Sequence, residues 1–291
     1  MLNKSTISWT RTIVTGFILL VGLQSAARAD ISAYMVTVNE DFGKLDLNTG
    51  VYTSIGPTVA VAGTFPGTRS LAGIGEIGST LYGVCEGCGE EALYTIDPTT
   101  GSLTQVGIDG SYIPVGFGST LTGLYAVDFS KNLYSVNPVT GAAHFIGSTG
   151  VATGSDYTLS TNSGTLYFAS AAELYTLNLT TGLATLVGPT GGPQFGGLVT
   201  EGSVLYGGEY PLPKEVDTLN TGTGAAASQV PPAPLTGTTS DFAGLAAIPA
   251  TSSVPEPRTV SWLLLGLLAG AGWIKTRSDR QRLQPNNRTT E

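Results

Sequence analysis

The stretch LYTIDPTTG, residues 93–101, predicts a β-strand that runs directly into a tight turn. A polar residue that can accept a backbone hydrogen bond follows four alternating residues, and the closing glycine tolerates a positive φ. The pattern [Asp/Asn]-x-x-Thr-Gly occurs five times, and its glycines are 51, 40, 41 and 42 residues apart. This spacing indicates an internal repeat. The five turn glycines are Gly50, Gly101, Gly141, Gly182 and Gly224.

A complete repeat contains four predicted short strands. Two flank the turn, and two more precede them: one begins at a Leu-Tyr pair, and the other carries an apolar residue seven positions earlier. The strand after the turn ends at a further glycine in four repeats, whereas the fifth has Val230 there. Four-stranded units of about 40 residues are typical of β-propeller blades. The apolar residues are Ile74, Phe117, Leu159 and Leu198, and the strand-ending glycines are Gly56, Gly107, Gly147 and Gly188.

The two ends of the repeat region predict how a ring would close. The first repeat has only three strands, at 34–38, 43–47 and 51–55, and lacks the leading one. Residues 242–248, after the fifth repeat, resemble the leading strand of repeat five and would supply it. We therefore expect an all-β fold, a five-bladed β-propeller of four-stranded blades over residues 30–249. The alternative is an open β-solenoid, which would not need the C-terminal strand.

The repeat pattern Leu-Tyr-x-Ile-Asp-x-x-Thr-Gly also resembles that of bacterial quinoprotein-like and lactonase-like propellers. The resemblance implies a shared repeat shape and carries no activity with it.

The N-terminus predicts a signal peptide at residues 1–29. Lys4 and Arg11 precede an apolar stretch at 13–23, and Ala27-Arg28-Ala29 completes the order of a secretory signal. We expect cleavage after Ala29. The alternative is a retained membrane anchor.

The C-terminus carries three successive features. A Pro/Ser linker at 250–258 contains the motif Val254, Pro255, Glu256 and Pro257, and it is followed by an apolar run at 259–274 and a basic tail at 275–291. We expect this run to form a C-terminal transmembrane helix, although its 16 residues are a little short of the roughly 20 that cross a bilayer untilted. The basic residues favour a cytoplasmic tail. The alternative is a buried core helix.

This order of motif, span and basic tail resembles the PEP-CTERM sorting signal of exported bacterial proteins. The resemblance implies an exosortase-type processing enzyme as partner and the inner membrane as a transient anchor. It also implies the cell surface or an extracellular polysaccharide matrix as the destination.

The charge of the body excludes one class of function. Residues 30–257 contain 19 acidic and 4 basic residues, a net charge near −15. Nucleic-acid binding needs basic patches that neutralise phosphates, so we expect no nucleic-acid partner.

Few residues of the chain are candidates for catalysis, metal binding or disulfide formation. Cys85 and Cys88 predict a local disulfide in an oxidising compartment, because a single C-x-x-C lacks the four ligands of a structural zinc site. His144 is the only histidine and is expected on an outer strand, away from the channel. We therefore predict no catalytic residue, no metal site and no cofactor.

The central channel of a propeller is the default ligand site. Its rim is predicted at the starts of the inner strands, where a cation or sugar hydroxyls could bind, although these residues could equally be solvated loop ends. The expected function is that of an exported, non-catalytic binding or structural module. The alternatives are a glycan hydrolase or lyase acting through Asp156 and Asp241, and a permanently anchored periplasmic sensor domain. The predicted rim residues are Ser70, Asp156, Gln194 and Asp241.

Overall fold

The computed structural model describes residues 31–58, 71–85, 92–108, 114–152, 154, 157–211, 214–229 and 232–249. The predicted signal peptide, the motif at 254–257, the apolar run and the basic tail all lie outside these ranges. Searched over the same ranges, the chain has no helix with the length and apolar character of a membrane span. The chain divides into two units after Ile248, and the fold given below is that of the first unit.

Twenty β-strands in the described residues form five antiparallel sheets of four strands, which confirms the five-bladed β-propeller. The first blade contains β1 (Ser32–Thr37), β2 (Asp41–Asp46), β3 (Tyr52–Pro57) and the last strand, β20 (Phe242–Ala247). The second contains β4 (Leu71–Ile77), β5 (Thr80–Cys85), β6 (Ala92–Ile96) and β7 (Leu103–Ile108). The third contains β8 (Pro114–Ser119), β9 (Leu124–Asp128), β10 (Asn132–Val136) and β11 (Ala143–Ser148). The fourth contains β12 (Tyr157–Asn162), β13 (Thr165–Ser170), β14 (Glu173–Leu177) and β15 (Ala184–Pro189). The fifth contains β16 (Gln194–Glu201), β17 (Val204–Tyr210), β18 (Val216–Leu219) and β19 (Ala226–Ser228).

The last strand closes the ring as predicted. β20 pairs antiparallel with β1, where Ala33 lies opposite Ala247 and Val36 opposite Gly244. It also packs against β4 on one side and β16 on the other, so that the strands β4, β8, β12, β16 and β20 surround one axis. An open solenoid has no such closure, and this alternative is therefore wrong.

The repeated turn has the predicted geometry in all five blades. Its Asp or Asn side chain accepts a hydrogen bond from the backbone N–H two residues on, for example from Thr99 to Asp97 at 2.7 Å and from Thr180 to Asn178 at 2.9 Å. The turn glycines have φ between 71° and 82°, in the left-handed region that favours glycine. These side chains are therefore occupied in shaping the turn.

The strand-ending glycines lie where neighbouring blades touch. A Cβ added to Gly147, at the outer edge of blade three, would overlap the carbonyl oxygen of Thr181 in the turn of blade four. The same close approach joins Gly56 to Thr100 and Gly107 to Thr140. Each turn thus packs its backbone against the outer strand of the preceding blade, and a side chain at either position would separate the two.

The seam between blade five and blade one is built differently. At this seam Gly50 approaches the backbone of Ala233 and Pro234, in the segment that precedes the closing strand. Thr236 donates its N–H to the Gly50 carbonyl at 2.9 Å and accepts from Tyr52 at 2.8 Å. A short stretch of chain therefore replaces the glycine contact in the repeat that has Val230 at the glycine position.

The hydrophobic core lies between the blades. Five clusters of buried side chains each join two adjacent blades, so every seam has its own core. Phe117 of β8, for example, packs with Val84 and Leu93 of the second blade. The inner apolar residues identified from the sequence are all at most 2 % exposed, and Leu245 is their equivalent on β20 at 3 %.

We predict that Gly147→Ala destabilises the protein, because the added methyl group must push the Thr181 carbonyl out of the seam. Overpacking of this kind costs about 2 kcal/mol, or a fall of several degrees in melting temperature. The matched control is Gly222→Ala, since a Cβ there would meet only Asn220 Oδ1 at an ordinary 3.4 Å and the equivalent turn positions in the other blades are not glycine. Thermal unfolding of the two variants and the parent checks this; equal melting temperatures for the two variants would contradict it.

Candidate binding site in the central channel

A cavity of about 400 Å³ lies on the propeller axis, lined by all five inner strands. It occupies the end of the channel at which these strands finish, because the turns after β8, β12 and β16 also contribute to it through Leu121, Ser163 and Gly202. Its volume falls within the range of small-molecule sites in proteins.

One repeat position supplies four of the polar side chains at this end of the channel. It lies two residues after the buried apolar residue of each inner strand. Because the blades are related by rotation about the axis, equivalent positions of all five strands meet around the cavity. We call these residues the channel ring. The channel ring consists of Glu76, Ser119, Thr161, Thr200 and Ala247.

Hydrogen bonds connect four members of the channel ring to neighbouring inner strands. The Glu76 N–H donates to Ser119 Oγ at 2.9 Å, and Thr161 Oγ1 donates to the Ser119 carbonyl at 2.7 Å. The Ala247 N–H donates to Glu76 Oε2 at 3.3 Å, which ties the closing strand to β4. Thr200 Oγ1 is buried and has no hydrogen-bond partner, so a hydrogen bond made to it would not replace an existing one.

Glu76 is the only acidic residue among the described residues that line the cavity, and none of those residues is basic. Burial raises the pKa of Glu76 to about 7 against the opposing effect of hydrogen bonds from the Ala247 and Glu76 backbone, and the nearby negative charge of Glu201 adds a smaller increase. Burial also raises the pKa of Glu201, whose carboxylate accepts a hydrogen bond from the Ile248 backbone. At neutral pH the Glu76 carboxyl therefore exists in both protonation states.

The residues predicted from the sequence lie elsewhere. Gln194 is the first residue of β16 and Asp241 directly precedes β20, at the opposite ends of the inner strands from the cavity, and neither lines it. Asp241 forms an ion pair with Lys214 at 2.7 Å, and Lys214 also donates to the Thr239 carbonyl. Ser70 and Asp156 lie outside the described residues.

Sequence reasoning missed the channel ring because it placed the rim at the strand starts. The repeat pattern contained the information needed to find the ring, since each ring residue follows the apolar residue of its inner strand by two positions.

Two other features do not contribute to this site. Cys85 takes part in a disulfide, while Cys88 lies outside the described residues. His144 is exposed on the outer strand β11, as predicted.

A second pair of carboxyls is buried away from the cavity. Glu209 and Asp217 are 7 % and 3 % exposed. Burial raises the pKa of Glu209 to about 7, and the adjacent Asp217 carboxyl raises it further. Burial also raises the pKa of Asp217, and two neighbouring buried carboxyls do not both ionise readily. Across the described part of the chain there is no group of three or more His, Cys, Asp or Glu residues arranged to hold a metal ion.

Comparison with known proteins gives similarity in structure but not in sequence. No protein-family model and no curated protein sequence matches the chain. A structure of a nidogen/laminin complex is 10 % identical, with a TM-score of 0.47, and the match covers 76 % of this chain and 99 % of that one. A Bacteroides thetaiotaomicron protein of unknown function is 15 % identical, with a TM-score of 0.48 and coverage of 76 % and 66 %. BamB from Moraxella catarrhalis is 12 % identical, with a TM-score of 0.34 and coverage of 70 % and 71 %. None of these likenesses bears on ligand or activity.

We predict that Glu76→Gln reduces the dependence of stability on pH. The pKa of Glu76 is about 7 in the folded protein against an ordinary 4.5. Between these values the unfolded chain has lost the proton that the folded protein keeps, so stability falls as pH rises through the window. Up to about 3 kcal/mol of this fall should disappear in the variant. Denaturant unfolding of both proteins between pH 4 and pH 8 measures it; parallel curves would show that Glu76 does not titrate as described.

Proposed function

We propose that this protein is an exported, non-catalytic binding module that reaches the cell surface or extracellular polysaccharide matrix and binds hydroxyl-rich saccharides at the channel ring. The observation that carries the binding proposal is the ring itself. Three hydroxyl side chains and one carboxyl from four blades converge on a cavity of about 400 Å³. Hydroxyl and carboxyl groups both donate and accept hydrogen bonds, as the hydroxyls of a sugar do.

The mixed character of the lining also favours a saccharide. Leu121 contributes exposed apolar surface beside the polar ring, and a sugar ring presents C–H faces as well as hydroxyl edges. Sites that combine apolar walls with a few placed polar groups are the usual form of small-molecule sites.

A binding role fits the acidic groups better than a catalytic one. Glycoside hydrolysis normally uses two carboxyls that flank the scissile bond. Within the described lining of the cavity only Glu76 supplies one. The hydrolase or lyase alternative relied on Asp156 and Asp241, and Asp241 is engaged with Lys214 away from the cavity.

The proposal of export rests on the two ends of the sequence. The signal peptide at 1–29 would deliver the propeller across the inner membrane, and the segment at 254–291 would hold it there until an exosortase-type enzyme removes the span. The negative net charge of residues 30–257 favours solubility outside the cell, because copies of the protein repel one another.

We expect the mature protein to begin at Asp30 and to end near Pro257. Intact-mass analysis of the membrane, periplasmic and secreted fractions of the native host tests this directly. A species of that mass outside the membrane supports sorting. A species that keeps residues 275–291 and stays in the inner membrane would overturn sorting and favour the anchored periplasmic sensor.

We expect Thr200→Val to weaken saccharide binding without lowering stability. The substitution keeps the side-chain shape and removes a buried hydroxyl that has no protein partner, so the fold loses no hydrogen bond. A ligand would lose one, which corresponds to an affinity about three- to tenfold lower. Calorimetric titration with glucose, galactose, mannose and their disaccharides measures the affinity, and assay of the same disaccharides for cleavage tests the catalytic alternative.

The matched control is Thr185→Val, because Thr185 is exposed on β15 in blade four, on an outer strand. Equal affinities of the two variants for every sugar that the parent binds would remove the channel ring from the binding site. Failure of the parent to bind any of these sugars would overturn the saccharide proposal.

A further inference from the structure

We propose that the channel ring selects saccharides that carry a protonated primary amine, and that Glu76 is the residue that binds the ammonium group. This inference rests on the proposed function, since it names the class of saccharide that the same cavity accepts. The Glu76 carboxyl lines a cavity, and the described residues of that lining include no basic side chain.

The basic residues of the described propeller are positioned away from Glu76. Lys131 donates to the Ala152 carbonyl at 2.7 Å, and Lys214 pairs with Asp241. Lys44 is exposed on β2, a strand that does not line the channel. Arg69, the remaining basic residue of the body, lies outside the described residues. No described side chain therefore neutralises the Glu76 carboxylate.

A partly buried carboxylate without a cation can become neutral by taking up a proton, or it can bind a positive ligand. The raised pKa of Glu76 shows that the protein without a ligand favours the proton. A ligand cation in the cavity would compete with that proton for the same carboxyl. Glu201 on β16 adds a second negative charge close by, and one of its oxygens, Oε1, is buried without a partner.

The geometry at Glu76 favours an ammonium over other cations. Its Oε2 already accepts the Ala247 N–H and the Ser119 side chain also hydrogen-bonds the carboxyl, which disfavours the two-pronged contact of a guanidinium. An ammonium is a compact charge with three donors, and Thr200 Oγ1 offers a further unpaired acceptor on the same ring. Ca²⁺ and Mg²⁺ prefer six or more oxygens, and the described residues contain no group of three or more acidic, His or Cys side chains arranged to hold a metal ion.

Binding of an ammonium by Glu76 must displace the proton, so affinity is linked to pH. The described lining from β8, β12 and β20 contributes no titratable side chain, which leaves Glu76 and the neighbouring Glu201 as the titrating groups. With a pKa of about 7, Glu76 is mostly protonated at pH 6 and half protonated at pH 7. Affinity should therefore be about fivefold lower at pH 6 than at pH 7, with release of nearly one proton at pH 6.

The experiment is calorimetric titration of the propeller at pH 7 with glucosamine, N-acetylglucosamine, glucose and n-butylamine. We expect glucosamine to bind at least about tenfold more tightly than the two neutral sugars, as a charge-assisted hydrogen bond would require. The Glu76→Gln variant should lose this preference and bind glucosamine no more tightly than it binds the two neutral sugars. The control Asp46→Asn removes the same charge at a turn where three other blades have asparagine, and it should keep the preference.

The outcomes separate this inference from the proposed function. Equal binding of all three sugars overturns the ammonium selectivity and leaves saccharide binding in place. Absence of binding by every sugar overturns the proposed function. Binding of n-butylamine as tight as that of glucosamine would assign the site to amines in general. Titration of the unmutated protein at pH 6 in two buffers of different ionisation enthalpy counts the released protons, and a value of zero would overturn the role of Glu76 even if Glu76→Gln failed to fold.

Discussion

The close approach of backbone to backbone at the blade seams is the constraint on which the propeller depends. A turn in one blade lies directly against a glycine in the outer strand of the blade before it, with no side chain between them. This contact sets the distance between neighbouring blades at the rim, while the apolar clusters fill the space nearer the axis. The turn can reach its neighbour only because an Asp or Asn side chain satisfies its inner N–H groups and its last residue has a positive φ. Local turn chemistry and ring geometry are therefore two consequences of one short motif.

Rotation about the axis turns a repeated sequence position into a site. Residues that are about 40 positions apart in the chain become neighbours around the channel, and the channel ring gathers its five members in this way. The blades have diverged at this position, which is acidic in one, a hydroxyl in three and alanine in the closing strand. The ring is consequently asymmetric, with its one carboxyl on β4 and a second carboxyl, Glu201, beside it on β16; these two strands flank β20. The backbone has five similar blades around the axis, but the acidic side chains near the channel lie on one side of it.

Much of the fold could be predicted because residues close together in each repeat determine its turns and strands. The turn residues, the four strands of a blade and the closing strand can each be recognised from a stretch of sequence no longer than one repeat. The fifth seam could not be predicted in the same way. There the sequence shows only that Val230 replaces a glycine, whereas the packing of Gly50 against Ala233 and Pro234 depends on a contact between distant parts of the chain. The channel ring lies between these cases. Its residues occupy an aligned position, but the choice between the two ends of the channel depends on where space remains between side chains, which periodicity does not encode.

Blade one is assembled from both ends of the propeller, and this has a mechanical consequence. The chain leaves the propeller at Ile248, directly after the strand that closes the ring. Traction on anything attached beyond that point is transmitted first to β20, which is held to the sheet by its ladder with β1. The carboxylates of Glu76 and Glu201 hold the last amides of this segment, at Ala247 and Ile248. The strand that closes the ring is thus also the first strand on which a load applied beyond residue 248 would act, so such a load would pull on the closure of the propeller itself.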